Sequence, residues 1–319
     1  MKKKNTLENQ TTDTVSKIFK IVICSILCVY AVTIVYLLFW GLLTSLKADL
    51  DFTRFDNKFG LPNLKYSKEE ALGLSHYILV ITKFKFPIST GYYWHGIEIS
   101  HSVDATMTKM IFNTFLYAAI QSFLPTLMSA VMAYLCAKFS EFKSISIFYY
   151  VALVAMMIPS VGTYPAEISI LQNLGVYDTY LGFILQKSYY CGTYFFIFFA
   201  FFKSLAGSYM EAAEIDGASQ YRIFFQIVLP LISTTFFTIA LIQFVAAWND
   251  FRTPLLYMPT KPSIAYGVYR LTHIQAPAGM GTVPVRVAAS MLLALPILVL
   301  FLFFKDKLMG NISMGGLKE

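Results

Sequence analysis

Three sets of residues have types and spacings suited to specific work. The first is the polar stretch from Ser204 to Arg222. Ser208 and Glu211 stand as S-x-x-E, a capping box that starts a short helix. Asp216-Gly217 stops it, because Gly217 can take the left-handed conformation. Ser219 can then cap a second helix that runs on through Ile227, Leu229 and Pro230. Ala212 and Ala213 leave one face small enough for close approach by another protein, and Glu211 and Glu214 offer carboxylates to a basic partner. On these residues alone, a solvated amphipathic loop is the alternative. The second set is Lys187, a cation in an apolar, aromatic stretch. Such a charge needs a polar cavity around it or a snorkelling route back to an interface. The third set is a scatter of hydrogen-bonding side chains in apolar surroundings: Tyr164, Tyr189, Tyr190, Tyr194, Gln243 and Asn249. Each can line a polar path, hold a neighbouring helix or sit in an interfacial belt.

Catalytic machinery is not legible. His76, His95, His101 and His273 fall in expected external loops, which leaves no imidazole in the apolar segments for haem, metal or proton relay. Cys24, Cys28, Cys136 and Cys191 lie in apolar stretches and imply no disulfide framework. Cys24 and Cys28, at i,i+4, read as inert packing residues, since two thiols alone make a poor metal site. The chain shows neither G-x-S-x-G, H-E-x-x-H nor a P-loop. No catalytic residue, metal site or cofactor of its own is expected, and the chain is not expected to be an enzyme.

The elements that must carry these residues are membrane helices. Of 319 residues, 57% are hydrophobic and 13% charged, where a soluble domain carries about 25% charge. Mean hydropathy is +0.60. That composition excludes soluble globular, disordered and fibrous classes. The net charge of +7 owes part of its excess to Lys2, Lys3 and Lys4 and does not point to nucleic acid. Charge-free windows long enough to span a bilayer predict six helices near 21–45, 110–137, 145–170, 180–202, 226–249 and 287–305. Pro159 and Pro165 should bend or break the third. The first is too long for the apolar region of a cleaved signal. Lysines at 2–4, 17, 20, 138, 143, 305, 307 and 318 put both termini on the cytoplasmic side. The organisation expected is a cytoplasmic segment 1–20, a first helix 21–46, a long external loop 47–109, a five-helix core 110–305 containing the loop 203–230, and a cytoplasmic tail 306–319. The external stretch 250–286, with Arg252, Lys261, Arg270 and Arg286, fits the charge rule least well.

The spacing in the cytoplasmic loop is specific. Glu211-Ala212-Ala213, three residues, Gly217, nine residues, Ile227, one residue, Leu229-Pro230 resembles the EAA signature of ABC-importer permeases. Asn173-Leu174-Gly175-Val176-Tyr177-Asp178-Thr179-Tyr180 followed by Leu181-Gly182 resembles the LGL-x-[ND]-T-Y-x-G stretch of sugar permeases. Trp248-Asn249-Asp250-Phe251, with Pro254-Leu255, resembles their W-N-[DE]-F…P-L segment. Met157-Ile158-Pro159 and the tail Gly310…Met314-Gly315-Gly316-Leu317-Lys318 are similar too. The resemblance covers about 110–319 and is to the second-permease side of the maltose-type carbohydrate uptake family. The external loop and Lys187, which stands where many relatives have proline, depart from it.

That resemblance implies an all-α membrane protein with six transmembrane helices and a cytoplasmic helix-turn-helix coupling loop. It implies transport by alternating access, with a second permease completing the path, two ATPase subunits hydrolysing ATP and an external solute-binding protein delivering sugar. The coupling loop would comprise Glu211, Ala212, Ala213, Asp216, Gly217, Ile227, Leu229 and Pro230. Candidates for the substrate path are Tyr164, Lys187, Tyr190, Tyr194, Gln243 and Asn249. If Lys187 lines the path, an acidic sugar becomes plausible. Trp248 reads better as a packing anchor, and the external Gly91-Tyr-Tyr-Trp-His-Gly96 as a folded loop or a binding-protein contact. An importer for a polyol, amino acid or peptide is the alternative. A channel or carrier working alone is a further one.

Overall fold

A computed structural model describes residues 2–53, 57–63, 74–159, 162–204, 213, 215–274 and 276–312. In chain order the elements are α1 (Lys2–Ser45), α2 (Asp49–Thr53), α3 (Leu74–Lys83), β1 (Lys85–Trp94), β2 (Ile97–Thr106), α4 (Met107–Lys138), α5 (Lys143–Met157), α6 (Thr163–Asn173), α7 (Tyr180–Lys187), α8 (Thr193–Ser204), α9 (Gln220–Ile223), a π turn (Phe224–Val228), α10 (Leu229–Trp248), α11 (Arg252–Tyr257), α12 (Ile264–His273) and α13 (Val283–Ile312). Four helices among the described residues are long and apolar enough to cross a membrane: Ser16–Ser45, Met107–Lys138, Gln220–Trp248 and Val283–Lys305. They coincide with four of the charge-free windows.

The other two expected crossings are not continuous helices. The window 145–170 is divided into α5 and α6. Ile158, before Pro159, is extended with ψ 120°, because a proline ring pushes its predecessor out of the α region. Pro165 does not break anything: it is the third residue of α6, in the first turn, where no N–H is required. The window 180–202 is divided into α7, of 8 residues, and α8, of 12. At about 1.5 Å per residue neither half spans a bilayer alone. The all-α expectation also needs correction, because part of 47–109 is a β-hairpin. β1 and β2 pair antiparallel from Lys85↔Thr106 to Trp94↔Ile97. His95 and Gly96 form the turn, both with positive φ, as tight hairpins require.

The chain divides into two compact units, Met1–Val80 with Met280–Met291, and Ile81–Gly279 with Leu292–Glu319. In the first, every side chain of α1 from Ser16 to Phe39 is exposed. A helix apolar all round needs lipid or another chain as cover. Cys24 and Cys28 are exposed on this helix. Lys47, just past α1, is fully buried. Its Nζ donates to the carbonyls of Asn57 at 2.7 Å and Lys58 at 3.1 Å. Burial pushes its pKa down and the Asp51 carboxylate opposes that. Asp51 in turn accepts from Asn57 Nδ2 and from the Asn63 N–H. His76 is not in an open loop: it lies buried on α3, its Nδ1 3.3 Å from Ser45 O.

In the second unit, α4, α8 and α10 form a core in which Phe195, Phe198, Phe202 and Phe236 fill space against Ala130 and Ala133. A second cluster gathers Tyr92 of the hairpin with Tyr117, Leu171, Tyr177, Phe183 and Tyr257. Tyr92 meets Tyr177 edge-on at 5.1 Å. The aromatic knot of the external loop is thus a folded element, and Tyr93 and Ile97 at its tip stay exposed.

Candidate functional site

The described half of the EAA-like loop has the turn its sequence asks for. Gly217 has φ +74°, and the Ala218 N–H donates to the Ala213 carbonyl at 2.9 Å. This six-to-one bond past a left-handed residue is a Schellman ending. Ser219 then caps the next helix, its hydroxyl accepting from the Arg222 N–H at 3.4 Å. Helix α9 widens into the π turn directly before Pro230, with the Leu229 N–H reaching back to the Phe224 carbonyl. Proline would press its ring on the carbonyl four residues earlier, and a wider turn relieves that contact. Ala213 packs on the aromatic core. Ile215 and Tyr221 are 86% and 81% exposed, and Phe225 is exposed beside them. Asp216 lies in the turn, and Ile227, Leu229 and Pro230 continue the strip. Glu211, Ala212 and the Ser208 cap lie outside the described residues.

The two sugar-permease stretches have architectural roles in the fold. Asp178 takes φ +57°, a conformation that Asp and Asn tolerate best among non-glycine residues. Its buried carboxylate accepts from the Thr260 hydroxyl at 2.6 Å and lies 3.4 Å from Lys261 Nζ. Lys261 also donates to the Asp178 carbonyl. The Thr179 hydroxyl caps α7 by accepting from the Gly182 N–H at 3.1 Å. A Cβ on Gly182 would lie 2.1 Å from the Val176 carbonyl oxygen, so no other residue fits. Tyr180 donates to Asn113 Oδ1 at 2.8 Å, and Asn113 donates to the Pro262 carbonyl at 3.0 Å. In the second stretch, Trp248 is buried and its Nε1 donates to Leu293 O at 3.0 Å. Asp250 caps the start of α11, accepting from the Arg252 and Thr253 N–H groups at 2.9 and 3.1 Å. Phe251 stacks on Tyr269 at 4.5 Å. The basic residues that sat awkwardly in 250–286 are partly accounted for: Lys261 meets Asp178, and Arg270 lies 4.6 Å from the Phe86 ring centroid.

The candidate path residues do not converge on one site. Gln243 donates to Thr126 Oγ1 of the neighbouring α4 at 2.6 Å. Asn249 caps the end of α10 and donates back to Val245 O at 2.9 Å. Tyr190 donates to Phe148 O at 3.2 Å and its ring joins the aromatic core, as does that of Tyr194. Tyr164 is exposed in the first turn of α6. Lys187 is different. It ends α7 with its ammonium 5.6 Å from the Phe183 ring centroid. With Tyr189, Glu167, Gln186, Ile170 and Leu185 it lines a cavity of about 440 Å³. Glu167 Oε2 accepts from the Tyr257 hydroxyl at 2.6 Å and from Gln186 Nε2 at 3.2 Å. The sequence reading missed Glu167 and Gln186. Glu167 lies in no motif, and nothing local shows that α6 and α7 bring their side chains to one wall.

A larger cavity, about 670 Å³, opens between α4, α10 and α13 and is lined by Ser122, Ser233, Thr234, Thr238, Phe244 and Leu300 among others. Ser122, Ser233 and Thr238 donate to carbonyls of their own helices. The groove is thus apolar in character and suits a packed helix better than a ligand with many hydroxyls. Among the described residues, no group of three His, Cys, Asp or Glu side chains converges to hold a metal ion.

Residues 126–309 match the family described as binding-protein-dependent transport system inner membrane component. The diacetylchitobiose uptake system permease protein NgcG of Streptomyces coelicolor is 28% identical over 72% of this chain and 76% of its own. The arabinooligosaccharides transport system permease protein AraQ of Bacillus subtilis is 26% identical over 66% and 73%. The sn-glycerol-3-phosphate transport system permease protein UgpE of Yersinia enterocolitica is 31% identical over 66% and 73%. A chain in the crystal structure of a bacterial ABC transporter involved in import of the acidic polysaccharide alginate superposes with a TM-score of 0.69, covering 91% of this chain and 96% of that one at 17% identity. That likeness shows a shared fold.

Proposed function

This chain belongs to the family of binding-protein-dependent transport system inner membrane components, and on that premise we propose that it is one of two permeases in an ATP-driven saccharide importer. It makes six crossings, four by continuous helices and two by the pairs α5–α6 and α7–α8, with both termini in the cytoplasm. Lysines 17, 20, 138, 143 and 305 gather on that side, which supports the orientation. A second permease covers the groove between α4, α10 and α13, and an external solute-binding protein delivers the sugar. The chain itself does no chemistry: ATP is hydrolysed by two partner subunits. Saccharide, rather than another small solute, is supported by the NgcG and AraQ relatives and by the sugar-permease stretches.

The observation that carries the coupling role is the exposed apolar strip Ile215, Tyr221 and Phe225 beside the Gly217 turn. A helical turn presenting large apolar side chains to the cytoplasm needs a partner to cover them. The ATPase subunit is that partner, and its closure pushes the turn and, through the π turn, α10. Single cysteines test this. Ile215→Cys should be labelled from the cytoplasm and should cross-link to the ATPase subunit, whereas His95→Cys should be labelled from outside. Labelling of both from one side would refute the orientation, and an Ile215→Cys variant that never cross-links would refute the docking surface.

A further inference from the structure

The cavity between α6 and α7 has a charge balance that bears on the substrate. Glu167 comes from α6, while Gln186 and Lys187 come from the last turn of α7, so a carboxylate, a carboxamide and an ammonium face one space. Both Tyr257 and Gln186 Nε2 donate to the same oxygen of Glu167, Oε2. Gln186 Oε1 is buried and, among the described residues, has no hydrogen-bond partner. A buried acceptor left unmade is costly, and this one belongs to a residue of the cavity wall. Lys187 is not an isolated cation: the Glu167 carboxylate lines the same cavity. One positive charge against one negative leaves no net attraction for an anion.

We propose that this cavity is a saccharide subsite of the permease and that it selects neutral sugars over anionic ones. The proposal rests on the importer reading and deepens it. Sugar hydroxyls donate to Gln186 Oε1 and to the Glu167 carboxylate and accept from Lys187 Nζ. Ile170, Leu185 and Tyr189 cover sugar C–H faces. A donor and two acceptors on one wall match a vicinal diol, which presents donors and acceptors together. A carboxylate or phosphate on the ligand would meet Glu167 as a like charge and would compete with it for Lys187. From the sequence, a path-lining Lys187 makes an acidic sugar plausible, and a snorkelling one says nothing of the sugar's charge; Glu167 on the same wall points to a neutral one.

The complete importer, with its partner permease, ATPases and binding protein, tests this in proteoliposomes. Two labelled probes are compared: a pool of neutral di- to tetrasaccharides, and the same pool oxidised at its primary hydroxyls to uronates. The wild type should take up neutral sugars with ATP and reject the oxidised pool. Glu167→Gln keeps the shape and the acceptor oxygen but leaves Lys187 less opposed, so the preference for neutral sugar should fall at least about tenfold. Gln186→Ala should raise KM for neutral sugar about tenfold, one lost hydrogen bond to a polar wall. A wild type that prefers the oxidised pool overturns the proposal, as does an unchanged preference in Glu167→Gln with an unchanged KM in Gln186→Ala. ATP-dependent uptake of neither pool is a separate result, and it overturns the saccharide-importer reading itself.

Discussion

Gly217 is the position at which one atom should separate transport from ATP hydrolysis. Its φ is +74°, and a Cβ built there meets nothing within 4 Å among the described residues. Its cost against them is conformational, about 1–2 kcal/mol for an L-residue in left-handed backbone. With about 1.4 kcal/mol per tenfold change in an equilibrium, Gly217→Ala should lower the population of the observed turn about five- to thirtyfold relative to other loop states. Gly217→Asn should cost less, because asparagine tolerates this region. Gly217→Pro cannot adopt the turn, since its φ is held near −65°. The assay is sugar uptake per ATP hydrolysed by the reconstituted importer, with the amount of inserted permease measured in parallel. Coupling should fall in the order Gly, Asn, Ala, Pro while insertion stays constant. If Gly217→Pro transports normally, or Asn uncouples as severely as Ala, the left-handed turn is not what coupling depends on and the reasoning fails.

Two other substitutions probe the networks around Asp178 and Lys47. Asp178→Asn keeps the left-handed backbone but removes the charge beside Lys261 and weakens the bonds to Thr260; it should destabilise the detergent-purified complex by about 1.5–3 kcal/mol, and an unchanged midpoint in thermal unfolding would contradict the network. Lys47→Met leaves the Asn57 carbonyl without this donor and the Lys58 carbonyl with Trp40 Nε1 but not the ammonium; hydrogen exchange over 46–53 and 57–63 should speed up by about tenfold or more, and unaltered protection would show that the buried ammonium contributes nothing.

Much of this protein is determined by local sequence alone. Four spanning helices follow from the spacing of charges, because burying a charge in lipid is costly and apolar length must match the bilayer. The Gly217 stop and the Ser219 cap follow from short-range backbone chemistry, which needs only neighbours within a few residues. The break at Ile158 follows from the steric demand of Pro159. Other features are settled only in three dimensions. The gap between α7 and α8 carries no proline, and the hairpin tip stays legible only as an aromatic knot until Tyr92 meets Tyr177. Pro165 looks like a breaker in one dimension and is harmless in the first turn of α6. Gln243, Asn249 and Tyr190 can line a path or hold a helix as far as sequence goes; in the fold they donate to a hydroxyl and to carbonyls of the protein. Lys187 shows the difference most clearly. It stands without a charged neighbour in an apolar, aromatic segment, so by itself it reads as a bare cation; folding brings Glu167 from 20 positions earlier in the chain to the same cavity wall. Electrostatic character depends on distance in space, and that distance is decided by how α6 packs against α7.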